Sequence, residues 1–130
     1  MVTERRKKVL IVDDESSMVS VLQRHVSNAG YEHCTASNGR EALEKIESEQ
    51  PDLVLLDLMM PGMNGFEACR RIRENEKTKK IPVLIITALR SEADSAAAAA
   101  SGANEFIVKP IDGPHLAQRL RHYIGSPFKP

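Results

Sequence analysis

Five short apolar runs, each followed by a stretch of helical periodicity, leave this chain few folds to adopt. In the clearest of them, residues 53–56 run straight into Asp57, and Pro61, Gly62 and Gly65 then prevent the strand from continuing. A short apolar run closed by turn residues predicts a strand buried on both faces. Residues 7–12 form a second run, with charges at its start and Asp13-Asp14-Glu15 after it. Residues 33–36 are a weaker third. Residues 81–86 are the most apolar and lead into Thr87-Ala88, and residues 105–108 end at Lys109-Pro110. Helices are expected from Ser16, as N-cap, to about Ala29 with Gly30 as the stop, and over residues 40–49 after an Asn38-Gly39 turn. Three more are expected from Asn64 or Gly65 to about Glu74, over residues 91–101 with five consecutive alanines, and from Asp112 or Gly113 to Ile124. Strands alternating with helices predict an α/β domain with a doubly wound, five-stranded parallel sheet and right-handed crossovers.

At 130 residues the chain is one domain, able to bury roughly two-thirds of its unfolded surface. The pattern places it at residues 7–124, with a lead at 1–6 and a tail or the start of a linker at 125–130. Lys plus Arg and Asp plus Glu are both 18, so no net field draws the chain to nucleic acid or to an anionic membrane. Direct nucleic-acid binding and membrane association are therefore not expected. Nothing near the N-terminus is apolar for long enough to be a signal peptide or a span. Cys34 and Cys69 form no metal or redox pattern and suit a cytoplasmic protein with reduced thiols. Arg70, Arg71, Arg73, Lys77, Lys79 and Lys80 make one basic cluster without interleaved aromatics, expected to be a solvated face.

The chemistry lies at the ends of the strands. Asp13 and Asp14, Asp57, Thr87, and Lys109 each follow or end an apolar run, and the carboxyl ends of parallel strands share one edge. One acid there would only favour the positive end of a helix dipole. Three carboxylates raise one another's pKa unless a cation neutralises them. An all-oxygen donor set without His or Cys suits a hard ion, and magnesium fits best. With a lysine and a hydroxyl added, the set suits a phosphoryl group, with an aspartate as nucleophile.

Val12-Asp13-Asp14-Glu15, the run from Asp57 to Gly65, Thr87-Ala88, Gly102-Ala103-Asn104-Glu105-Phe106 and Lys109-Pro110 together resemble the receiver domain of two-component response regulators. The resemblance extends over residues 7–124. It implies a flavodoxin-like (CheY-like) sheet in the order 2-1-3-4-5. It implies that Asp57 accepts a phosphoryl group from a histidine kinase or phosphotransfer protein. Magnesium would sit on Asp14, Asp57 and the Met59 backbone carbonyl, with Asp13 acting through water. Thr87 and Lys109 would contact the phosphoryl group, Phe106 would be the switch aromatic, and Lys109–Pro110 would be cis. Met59 and Leu89, each two residues beyond a site residue, would overhang the phosphoryl group and slow its hydrolysis. The output face would be the alanine-rich helix, the fifth strand and the final helix, a candidate also for homodimerisation. The chain is thus expected to be a signalling switch and not an enzyme acting on outside substrates. A magnesium-dependent phosphatase of the haloacid dehalogenase type would need an aspartate where Met59 stands. A docking scaffold alone would be expected to lack Asp57, Lys109 or the acid pair, and all are present.

Overall fold

The computed structural model describes residues 5–88, 96–97 and 100–129. Its strands are β1 (Lys8–Val12), β2 (Glu32–Ala36), β3 (Leu53–Asp57), β4 (Val83–Thr87) and β5 (Glu105–Val108). They pair in parallel in the order 2-1-3-4-5. The helices bounded within the described residues are α1 (Ser16–Asn28), α2 (Gly39–Glu49), α3 (Gly65–Glu74) and α4 (Gly113–Ile124). Ala96, Ala97 and Ala100 are helical as well. The rest of the alanine-rich helix expected before Ser101, and Leu89, lie outside the described residues.

Alternation along the strands divides the core in two. Leu10, Val12, Val54, Leu56, Val83 and Ile85 face Ala42 and Ile46 of α2 and Ala68, Cys69 and Ile72 of α3. Val9, Ile11, Leu53, Leu55, Leu84, Ile86 and Ile107 face Leu22 and Val26 of α1 and Leu116 and Leu120 of α4. Complete burial of such a side chain contributes about 1.5–3 kcal/mol. The central strands are apolar at successive positions because both of their faces are covered.

The helix boundaries show where local chemistry decides. Asn38, Asn64 and Asp112 each cap a helix by accepting the amide three residues on. The expected Ser16 cap is overturned. Glu15 occupies the N-cap of α1 without a side-chain bond, and Ser16 is the first helical residue. The reason lies one turn earlier, where Asp13 Oδ1 accepts the Glu15 amide at 2.9 Å and bends the chain before Ser16 can cap. β4 begins at Val83 and not at Ile81. Ile81 belongs to a turn, donating its amide to Thr78, and Pro82 has no amide to add to a ladder.

Two features depart from the expected solvated face and tail. Arg73, from the basic cluster, is partly buried and holds the lower ends of three elements together. Its Nε donates to Gly102 O at 2.8 Å, Nη1 to Ile81 O at 2.6 Å and Lys79 O at 3.2 Å, and Nη2 to Asn104 Oδ1 at 2.7 Å. Asn104 Oδ1 also accepts the Val83 amide at 2.8 Å. Hydrogen bonds to charged groups contribute about 1.5–3 kcal/mol, so Arg73→Ala is expected to cost about 2–3 kcal/mol. Arg73→Lys should recover less than half, because one ammonium cannot reach this spread of acceptors. Urea unfolding of the two variants checks both values. The second departure is at residues 125–129, which turn back and pair with residues 5–7.

Candidate functional site

The strand order makes a crevice. β1 and β3 are neighbours, yet α1 packs on one face of the sheet and α2 and α3 on the other. Open α/β sheets bind ligands where successive connections part in this way, beyond the carboxyl ends of the strands. Asp13 and Asp14 follow β1 there, and Asp57 is the last residue of β3. Asp13 is 2% and Asp57 5% exposed, while Asp14 lies open to solvent. One carboxylate oxygen from each of the three lies within 4.8 Å of the others.

Lys109 closes the opposite side. Its Nζ donates to Asp57 Oδ1 at 3.1 Å and stands 3.9 Å from Asp13 Oδ2, an ion pair too long to be a hydrogen bond. The Lys109 amide donates to Thr87 O at 2.7 Å, tying the ends of β4 and β5 together. Thr87 is itself buried. The Lys109–Pro110 peptide is cis, as the family resemblance implied.

These neighbours set the charge states. Burial, then the Asp13 charge, push Asp57 from 3.8 up to about 6, against the opposing hydrogen bond and charge of Lys109. Asp13 is also raised, by burial first, against the Glu15 amide and Lys109. One oxygen of Asp13 is spoken for by that amide, and Asp13 Oδ2 is buried without a hydrogen bond. A buried carboxylate oxygen left without a donor is costly unless a cation meets it. The three carboxylates therefore fit a hard divalent ion held through oxygen.

The loop after β3 depends on glycine for a specific reason. The Gly65 amide donates to Leu58 O at 3.0 Å. A Cβ on Gly65 would stand 2.7 Å from Asp57 O and 2.9 Å from Leu58 Cα. Any side chain there would push on the peptide that carries Asp57. This contact and the Glu15 amide that orients Asp13 were not anticipated, although the two-residue spacing of Asp13 and Glu15 is the mark of such a turn. Met59, two residues beyond Asp57, is 66% exposed. Phe106 lies in β5 opposite Ile85 and is partly buried against the α2–α3 side of the core.

Together the sheet order and the acidic crevice define a CheY-like doubly wound domain. The chain belongs to the response regulator receiver domain family, whose family model matches residues 9–121. It is 39% identical over 115 residues to the alkaline phosphatase synthesis transcriptional regulatory protein PhoP of Bacillus subtilis, covering 88% of this chain and 47% of PhoP. It is 41% identical over 114 residues to the response regulator PleD of Caulobacter vibrioides, covering 88% of this chain and 25% of PleD. The chain thus spans half or less of these curated relatives. Among solved structures, the chemotaxis protein CheY4 of Vibrio cholerae superposes with a TM-score of 0.87 at 34% identity, covering 92% of this chain and 100% of CheY4. Among the described residues, no helix is long and apolar enough to cross a membrane.

Proposed function

We propose that this receiver domain takes a phosphoryl group onto Asp57 from a phosphohistidine of a histidine kinase or phosphotransfer protein, with magnesium bound, and passes on a change of shape. The carrying observation is the buried Asp57 set between two further carboxylates and the Lys109 ammonium. An Asp57 carboxylate oxygen attacks the phosphorus. A new P–O bond forms, the P–N bond to the donor imidazole breaks, and its electron pair leaves with the imidazole nitrogen. Asp13, Asp14 and Asp57 would hold magnesium, with the Met59 carbonyl in this reading. Bound there, the ion would offset the negative charge gathered around the transferring group. Lys109 can pass from Asp57 Oδ1 to a phosphoryl oxygen, and Thr87 can donate its hydroxyl to another. As Thr87 moves toward the phosphoryl group, Phe106 can fill the space from the edge of the sheet. The face carrying Ala96, Ala97, Ala100, β5 and α4 then becomes the output surface, or a surface for a second copy. In this reading the domain is a cytoplasmic switch and touches nucleic acid only through whatever it controls.

Intact-mass measurement after acetyl phosphate and magnesium tests the proposal. One labile phosphoryl group should be gained, and none by Asp57→Asn. No gain in the wild-type protein, or turnover of an added phosphomonoester, would count against it. A second expected outcome concerns lifetime. In-line attack on the acyl phosphate needs a positioned water, which the exposed Met59 side chain cannot orient. Met59→Asn should therefore shorten the phosphoryl lifetime several-fold, followed as loss of the added mass with time.

A further inference from the structure

Away from the crevice, at the amino ends of the strands, residues 125–129 follow α4 and pair with residues 5–7 ahead of β1. We propose that these residues are a strap belonging to the domain. They lock the last turn of α4 to the lead of β1, so the chain leaves the fold at a fixed point and not through a free tail.

Contacts from several parts of the chain converge on this segment and on the helix turn before it. α4 ends at Gly125, whose φ of 71° suits glycine, and whose amide donates to Arg121 O at 2.8 Å. Two side chains from elsewhere then take the next carbonyls. Lys7 Nζ donates to Ile124 O, and Tyr31 OH donates to Gly125 O at 2.5 Å. Past that turn the backbone forms an antiparallel bridge between Arg6 and Phe128. Lys7 N donates to Pro127 O at 2.7 Å and Lys129 N to Arg5 O at 2.9 Å. Lys7 shows how sheet and strap join, because its carbonyl accepts the Glu32 amide of β2 at 2.9 Å.

The side chains reinforce the bridge. The Arg6 guanidinium lies 5.3 Å from the centre of the Phe128 ring, so this exposed aromatic has a partner within the domain. Pro127 fills the space above Gly30, where an added Cβ would meet Pro127 Cγ at 3.0 Å. Lys129 Nζ reaches Asp52 Oδ2 at 3.8 Å, and that same oxygen accepts the Lys8 amide at 2.8 Å. A free tail would make none of these contacts. Polypeptide joined beyond Lys129 would leave about 17–20 Å from Asp57, one strand length away at the other end of the sheet, and would turn with α4 as one body.

Backbone amide relaxation of the full 130-residue chain tests the strap directly. Order parameters for Phe128 and Lys129 should match those of α4, at about 0.85, whereas about 0.6 or less, as in a free tail, overturns the proposal. A chain ending at Gly125 supplies a second readout. It should melt about 5 °C lower and lose roughly tenfold or more of its amide exchange protection over residues 121–125. Lys7→Met, which keeps the tail but removes the ammonium from Ile124 O, should lose protection over the same residues. A shortened chain that no longer folds also supports the strap, since a free tail is dispensable. Unchanged melting and unchanged exchange in the shortened chain overturn it.

Discussion

Asp57→Asn is expected to make the metal-free domain more stable at neutral pH. In the folded protein Asp57 holds its proton up to about pH 6, against 3.8 for an ordinary aspartate, chiefly because it is buried and faces Asp13. Between those values the folded state binds more protons than the unfolded chain, so stability falls as pH rises through this window. The displacement corresponds to about 3 kcal/mol of destabilisation, complete above about pH 6 and absent below about pH 4. Asparagine has similar size and no charge, and it can still accept from Lys109. The variant should gain about 2–3 kcal/mol at neutral pH without metal, and almost nothing near pH 4. Urea unfolding of both proteins in chelator at the two pH values measures this. A variant less stable than wild type at neutral pH would mean that the Lys109 pair outweighs burial and repulsion together.

Magnesium should supply to the wild type what the substitution supplies to the variant. A ligand that binds only the folded state stabilises it by mass action, about 2.7 kcal/mol at a concentration one hundred times Kd. Asp13 Oδ2, which accepts no hydrogen bond, the exposed Asp14 and the repelled Asp57 all become less costly once a divalent charge lies among them. The gain should fade as pH falls below about 6, because a proton on Asp57 competes with the ion. Asp14→Asn should lose most of the gain, and chelator should reverse it in the wild type. Thermal melts across a magnesium series at two pH values check each part. A wild-type melt that does not move with magnesium would remove the metal from the mechanism.

Much of this architecture can be read from single residues and their neighbours. The uninterrupted apolar stretch before Asp57 signals a strand covered on both faces, and β3 has no exposed residue. The acids at Asp13, Asp14 and Asp57 and the cation at Lys109 could be brought together on paper because parallel strands align their ends, and they do converge. The remaining contacts have no periodic mark in the sequence. Arg73 bonds mostly to backbone carbonyls, and every residue offers one, so nothing nearby in sequence singles out Gly102 or Ile81. Pairing of residues 125–129 with residues 5–7 joins the two ends of the chain, where local pattern carries no information. Ser16 carries the ordinary mark of a cap, but the side chain of Asp13, three residues earlier, takes the turn first.

The Arg73 clasp gives the far half of the sheet an axis. β4 and β5 are fastened at their amino ends, where Asn104 bonds to Val83 and the guanidinium bonds to both neighbouring loops. At their carboxyl ends the ladder is extended by the Lys109 amide donating to Thr87 O. A pair of ribbons secured along one end swings and does not slide. In the proposed switch, a displacement starting at Thr87 would be largest at the rim of the crevice and would die away over one strand length toward Arg73. The outer surface of β5 would then tilt as a whole, and a small pull at one hydroxyl would become a change of angle for a partner to read.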